Sequence, residues 1–267
     1  ALADFNKAIE LAPGLAGGYR MRGRIYDALR RYDLAMADYN RAIAVDPGDA
    51  QAAAWRGYLY ALTGNHEAAL RDFKEALRLD PRFSDAYVYR GMYYKERGRH
   101  DLALADFNKA LALKPASAIA YYQRANLWAQ SGNAGEAMRD VHQSIALDPG
   151  YDLPYALRAF FYAQNKNYDL ALKDLNKSLE INPGFLDAYL NRGLLYLIQG
   201  REALAAADFS RAIELNPRSA VDYYNRSMIY KEKGEPRKAL ADAMKAQAMG
   251  FAVPQKYLSE LEGAPLK

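Results

Sequence analysis

Residues 84–117 read SDAYVYRGMYYKERGRHDLALADFNKALALKPAS, and the same order of sizes and charges recurs before and after them. Tyr87, Arg90, Gly91 and Tyr94 share one helical stripe, Gly98 breaks it, and Ala103, Asp106, Phe107 and Ala110 mark a second helix that Pro115 closes. The stretch is a two-helix unit and the chain is an array of such units. Prolines at 13, 47, 81, 115, 149, 183 and 217 keep the beat, each 34 residues after the last. Proline lacks an amide N–H and its ring clashes with the preceding turn, so each one marks where a second helix stops.

Counting from residue 16, the pattern predicts one array over 1–253: a half repeat at 1–15, then repeats at 16–49, 50–83, 84–117, 118–151, 152–185, 186–219 and 220–253. Residues 254–267 read as a capping helix and tail, with Tyr257, Leu258 and Leu261 placed to cover the last hairpin. Position 8 is small throughout (Gly23, Gly57, Gly91, Ala125, Ala159, Gly193, Ser227), as are positions 20 and 27, so two antiparallel helices approach closely. Tyrosines at positions 4 and 11, among them Tyr87 and Tyr94, fill the space between hairpins. Gly64, Gly98, Gly132, Gly200 and Gly234 stand where the first helix must reverse. Arg30 and Lys166 replace glycine at that place, which predicts two less regular turns.

The combination of aromatic 4, small 8, Tyr 11, Ala 20, aromatic 24, Ala 27 and Pro 32 resembles the tetratricopeptide repeat, from the first residue to about residue 253. The resemblance implies an all-α fold, a right-handed superhelix or solenoid of antiparallel helix pairs whose first helices line a concave groove. It further implies that this groove takes a segment of another protein, and that the chain is not an enzyme.

One departure from the family pattern recurs in every copy. Position 7, generally a leucine in that family, is Arg22, Arg56, Arg90, Arg124, Arg158, Arg192 and Arg226, and position 23 is Asp38, Asp72, Asp106, Asp140, Asp174, Asp208 and Asp242. Both positions lie on stripes that face helix seams, so the charges are expected to pair as a ladder. Spacing leaves open whether the pairs form within a hairpin or between neighbours.

Lys and Arg number 36 against 32 Asp and Glu, a net charge of +4 with no basic block, so nucleic acid is not an expected partner. The absence of cysteine excludes disulfides and thiol chemistry. No apolar run reaches the roughly 20 residues of a membrane helix, so membrane insertion is not expected. His66, His100 and His142 sit too far apart along the array to converge on a metal, and neither a serine elbow nor a glycine-rich phosphate loop occurs. No catalytic residue, metal or cofactor is assigned. The chain opens inside a repeat, which suggests a piece of a longer protein and leaves its compartment open: cytoplasmic, or periplasmic or secreted if that protein carries an export signal.

By the resemblance, positions 2, 5, 6, 9, 12 and 13 of each first helix floor the groove. The candidate peptide-binding residues are Arg20, Arg24, Trp55, Tyr58, Tyr89, Met92, Tyr122 and Asn126, followed by Asn191 and Asn225, which are placed to bond a partner's main chain. Chaperone-binding members of the family grip a terminal carboxylate with Lys at 5 and Asn at 9. No repeat here has that pair, so carboxylate-clamp binding is not expected. An alternative reading is self-association, a homo-oligomer formed through the uncapped half repeat with Phe5, Ile9 and Leu11.

Overall fold

A computed structural model describes residues 1–263. Among the described residues it contains sixteen α-helices and no strand, and no helix is long and apolar enough to cross a membrane. Residues 264–267, the end of the expected tail, lie outside the described residues. The chain divides into two compact units, the first Ala1–Leu147 and the second beginning at Asp148.

The first unit holds α1 (Leu2–Leu11), α2 (Ala16–Ala28), α3 (Tyr32–Val45), α4 (Ala50–Leu62), α5 (His66–Leu79), α6 (Ser84–Glu96), α7 (His100–Leu113), α8 (Ala118–Gln130) and α9 (Ala134–Leu147). The second holds α10 (Asp152–Gln164), α11 (Tyr168–Ile181), α12 (Leu186–Ile198), α13 (Glu202–Leu215), α14 (Ala220–Glu232), α15 (Pro236–Ala248) and α16 (Gln255–Glu262). Each even-numbered helix from α2 to α14 pairs with the next to form a hairpin.

Helix starts and stops follow local chemistry. The side chains of Asp49, Asn65 and Ser117 accept the backbone N–H groups of Ala52, Ala68 and Ala120, and so cap α4, α5 and α8. After a second helix, Asp46, Asp80, Asp148, Asn182 or Asn216 accepts the N–H two residues on, a side-chain turn that carries the chain past its proline into the next hairpin.

Within a hairpin, the helices close on a matched pair. A Cβ added at Gly91 would lie 2.6 Å from the Phe107 ring, at Gly23 2.7 Å from Tyr39, at Gly57 3.0 Å from Phe73 and at Gly193 3.2 Å from Phe209. All four rings are fully buried. Where position 8 carries a side chain, at Ala125, Ala159 and Ser227, its opposite number at position 24 shrinks to Val141, Leu175 and Ala243. The Ser227 hydroxyl donates to the Ala239 carbonyl, which satisfies the one polar group so placed. Hairpins then stack through mixed clusters such as Val88, Phe107, Leu111, Ala120 and Leu127, shared by α6, α7 and α8. At the other end, α16 lays Leu258 and Leu261 into a cluster with Ala239, Ala243 and Ala246, and Tyr257 meets the Ser227 hydroxyl at 2.8 Å.

The two turns without glycine are as regular as the rest, contrary to the expectation from sequence. Arg30 and Lys166 take φ of 57° and 60°, beside 67° at Gly98. The next amide donates to the same carbonyl in each case: Arg31 to Tyr26 and Asn167 to Tyr162, as Arg99 to Tyr94, all at 2.8 Å. The hydrogen bonds of the reversal dictate the left-handed conformation, and a side chain is carried into it at a cost of roughly 1–2 kcal/mol. Replacing Arg30 with glycine relieves that cost but loosens the unfolded chain by about 0.5–1 kcal/mol. Arg30→Gly is expected to raise stability by up to about 1 kcal/mol, read as a higher urea midpoint at unchanged slope; a lower midpoint would show that the arginine side chain itself secures the turn.

A second local conflict sits at Asp222, which occupies position 3, where Ala52, Ala86, Ala120 and Ala188 stand in other repeats. It is 1% exposed, and neither carboxylate oxygen has a partner at full hydrogen-bonding geometry. Burial pushes its carboxyl above the ordinary aspartate range, with Ser219 offsetting part of the effect. The folded state therefore keeps a proton that the unfolded chain releases, and stability falls as pH rises through and above the ordinary aspartate range. Asp222→Ala is expected to stabilise the protein by roughly 1–3 kcal/mol at neutral pH, with the gain shrinking as the pH is lowered; thermal unfolding midpoints measured from pH 7 down to 4 read this directly.

Candidate functional site

The arginines of position 7 and the aspartates of position 23 meet within each hairpin. Nε donates to Oδ2 at 2.6–2.8 Å and Nη2 to Oδ1 at 2.6–2.9 Å in all seven copies, from Arg22–Asp38 to Arg226–Asp242. The aspartates are buried and the arginines half-buried. The hydrogen bond to Asp, more than any other influence, pushes each guanidinium above its ordinary range.

The remaining nitrogen reaches out of the hairpin. Nη1 of Arg22, Arg56, Arg124 and Arg192 donates to the Oδ1 of Asn6, Asn40, Asn108 and Asn176 in the preceding unit at 2.7–2.9 Å, and Arg226 donates to the Ser210 hydroxyl. Arg22, Arg90, Arg158, Arg192 and Arg226 each lie 5.5–5.9 Å from two ring centroids, those of the tyrosines at positions 4 and 11 of their own helix. The tyrosines thus clamp the arginine as well as fill space. Three of them, Tyr87, Tyr155 and Tyr189, donate their hydroxyls to the carbonyls of Pro81, Pro149 and Pro183. The asparagines of position 25 are contacts that the sequence reading did not single out, although their own 34-residue spacing carried the signal.

The face built by α2, α4, α6 and α8 gathers most of the residues assigned to the groove. Two of them are engaged in packing. Trp55 is 7% exposed, set 6.0 Å from the Tyr39 ring and covered by the Arg24 guanidinium 4.5 Å above it. Arg20 donates to both oxygens of Asp49, the cap of α4, at 2.8 and 3.0 Å, and so ties one hairpin to the next. The sequence places both on the groove floor; in the structure neither is an open contact, because large flat groups on a stacked helix are covered by the neighbouring helix.

What remains open is a half-buried aromatic pair. Tyr58 and Tyr89 stand 5.2 Å apart between α4 and α6. Burial raises the Tyr58 phenol and pushes that of Tyr89 up to about 12, so both stay neutral hydroxyls at physiological pH. A cleft beside Tyr89 is lined by Asp85, Val88, Lys114, Ser117 and Ile119. Met92 packs beneath the face, and Tyr122 is half-buried on α8. Asn126 accepts from the Gln130 amide and from Lys95, a lysine that the sequence reading did not single out.

In the second unit, Asn191 is exposed at the rim of an apolar hollow with Phe160, Ala163, Leu194 and Ile198, and Asn225 is half-buried on α14. Phe160 and Ile198 are 48% and 61% exposed, so this face is more apolar than its counterpart in the first unit. At the start of the chain, α1 meets α2 chiefly through Ile9 and buries none of its residues fully.

Models of the tetratricopeptide repeat match residues 20–82, 73–105, 91–132, 154–185, 186–219 and 223–249. No curated protein matches the chain in sequence. Among solved structures, it is similar to a chain of the APC/C hetero-tetramer Cut9–Hcn1, with a TM-score of 0.81 at 18% identity over 98% of this chain and 52% of that one. It is also similar to PilF of Pseudomonas aeruginosa, with a TM-score of 0.71 at 18% identity over 80% and 96% of the two chains. YrrB, described as a TPR protein with an unusual peptide-binding site, gives 0.55 at 21% identity over 71% and 97%. The chain spans about half the length of the Cut9–Hcn1 chain, and these likenesses show the fold.

The pairing of Arg90 with Asp106 is measurable by a double-mutant cycle. Removing Asp106 alone leaves a half-buried guanidinium without its main acceptor and is expected to cost roughly 3–5 kcal/mol. The coupling energy between Arg90→Leu and Asp106→Leu is expected at about 2–3 kcal/mol in denaturant unfolding, and a value near zero would reduce the ladder to decoration.

Proposed function

Because this chain belongs to the tetratricopeptide repeat family, we propose that it is a non-enzymatic scaffold whose first helices hold an extended segment of a partner protein. The observation that carries this reading is the Tyr58–Tyr89 pair, half-open on a face of otherwise packed helices. Neutral phenols with little rotamer freedom make low-cost contact area for an apolar side chain, and their hydroxyls serve a passing main chain. Around them, Arg24, Met92, Tyr122 and Asn126 supply a cation, a soft thioether, a third ring and an amide. Asn191, beside apolar rather than charged neighbours, and Asn225 are proposed to do the same work on the second unit.

The geometry speaks against two other kinds of partner. No repeat has the lysine and asparagine pair of a terminal carboxylate clamp, and the seven ladder arginines, among 36 lysines and arginines in all, are held by aspartates instead of being offered to a phosphate backbone.

The test uses a random library of 12-residue peptides selected on the full chain. Tyr58→Ala together with Tyr89→Ala is expected to weaken the selected peptides at least about tenfold, as loss of paired aromatic anchors does, with helix content retained and the variant still folded at the assay temperature. Undiminished affinity across the selected set would overturn the reading.

A further inference from the structure

The cations of the first-unit face are engaged in different ways. Arg20 is paired with Asp49, Lys114 lies 3.9 Å from Asp85, and Arg24 rests on the Trp55 ring with Asp27 one turn further along its helix. Lys95 differs from all of these. Its Nζ donates to Gln123 Oε1 at 3.0 Å and to Asn126 Oδ1 at 3.4 Å, two neutral oxygens of the next hairpin. Among the described residues no carboxylate lies within ion-pair distance of it. Glu96, its neighbour on α6, acts only at longer range.

The seat is built rather than incidental. Gln123 is 8% exposed, so its amide is held in place with its oxygen turned to the ammonium. Lys95 is itself half-buried, and loss of water disfavours its charge. An ammonium has three N–H donors; two are directed at amide oxygens and one is left. A side chain placed only to cover the face would keep its charged end in water, at little cost, instead of drawing it against two amides.

We propose that Lys95 is a specificity-determining residue that receives the acidic side chain of an extended partner segment lying across the Tyr58–Tyr89 pair. This rests on the groove reading above and adds the chemistry of the partner. A carboxylate entering the seat takes the third N–H as a charge-assisted bond and supplies the counter-charge that the two amides cannot. The amides hold the ammonium in position without competing for that role, as an aspartate or glutamate there would.

Spacing narrows the motif. Lys95 lies six residues beyond Tyr89 on α6, about 9 Å along the helix axis, and turns toward α8 where Tyr89 turns toward α4, so the separation is at least roughly three residues of extended chain. The partner segment therefore carries Asp or Glu three or more residues from the apolar side chain seated on the tyrosines. The carboxylate proposed is that of a side chain inside the segment, not of its C-terminus, because no repeat has the lysine and asparagine pair of a terminal carboxylate clamp.

The experiment selects amidated 12-residue random peptides on the full chain and, separately, on Lys95→Met and Lys95→Gln variants whose unfolding midpoints have been checked. Wild-type selection is expected to enrich Asp or Glu at a fixed spacing of three or more residues from an apolar position, and selection on either variant to lose the acid while keeping the apolar residue. For the best peptide, exchange of its acid for the amide is expected to cost at least about tenfold on wild type and little on Lys95→Met. Selected peptides that depend on Tyr89 but show no acidic preference would overturn the role of Lys95 and leave the groove standing. The same selection is run in parallel with free C-termini, and peptides that bind only in that form, indifferent to their internal acids, would overturn it in favour of terminal capture. Failure to select any peptide weakened by Tyr89→Ala would overturn the groove reading and this inference together.

Discussion

The structure depends first on how near two helices come to one another. In four hairpins a bare Gly backbone at position 8 lies so close to an aromatic ring at position 24 that a single methyl group would meet it at 2.6–3.2 Å. Packed interiors tolerate neither the overlap nor the void, so the two positions change together. Tyr39, Phe73, Phe107 and Phe209 face glycine, Val141 and Leu175 face alanine, and Ala243 faces serine. The larger member shrinks where position 8 grows, and at Ser227 and Ala243 both are small, yet the Arg–Asp bonds stay at 2.6–2.9 Å in all seven hairpins, which shows that helix separation is similar from one to the next.

That fixed separation lets one guanidinium serve several partners. From position 7, an arginine reaches the aspartate sixteen residues on with two parallel bonds, stacks beside tyrosines of its own helix, and extends a third nitrogen to an asparagine of the hairpin before. A leucine at the same place would fill space and bind nothing in particular. Buried charge gives little net stability once desolvation is counted, but an unpaired member is costly, so wrong registers are penalised. The ladder therefore acts more on the offset at which the two helices of a hairpin meet, and through the third nitrogen in five copies on the seating of the preceding unit, than on the depth of the folded state.

The same economy shapes the face proposed to bind a partner. With its arginines and aspartates turned into the seams, the chain leaves few charges on the first helices of its amino-terminal unit, and those few are held in distinct ways: on a ring, on a cap, or between amides. In the function proposed above, identity of the guest rests on such unrepeated residues. Tyr58, Tyr89 and Lys95 have no counterparts at the same positions in most other repeats, which is why a reading built on periodicity sees the scaffold more clearly than the site.

Period, helix ends and the pairing columns were determined by the sequence alone, because each rests on a local rule repeated seven times: proline stops a helix, small residues admit a neighbour, and opposite charges on facing stripes find each other. Tertiary structure decided the rest. It showed that each arginine serves its own hairpin and, through asparagine or serine in five copies, the one before. It showed that Trp55 and Arg20 belong to the packing, and that Arg30 and Lys166 turn as glycine does. These outcomes depend on distances between helices that are not neighbours along the chain, on the order of one side chain's length, and a linear pattern of residue types does not contain those distances.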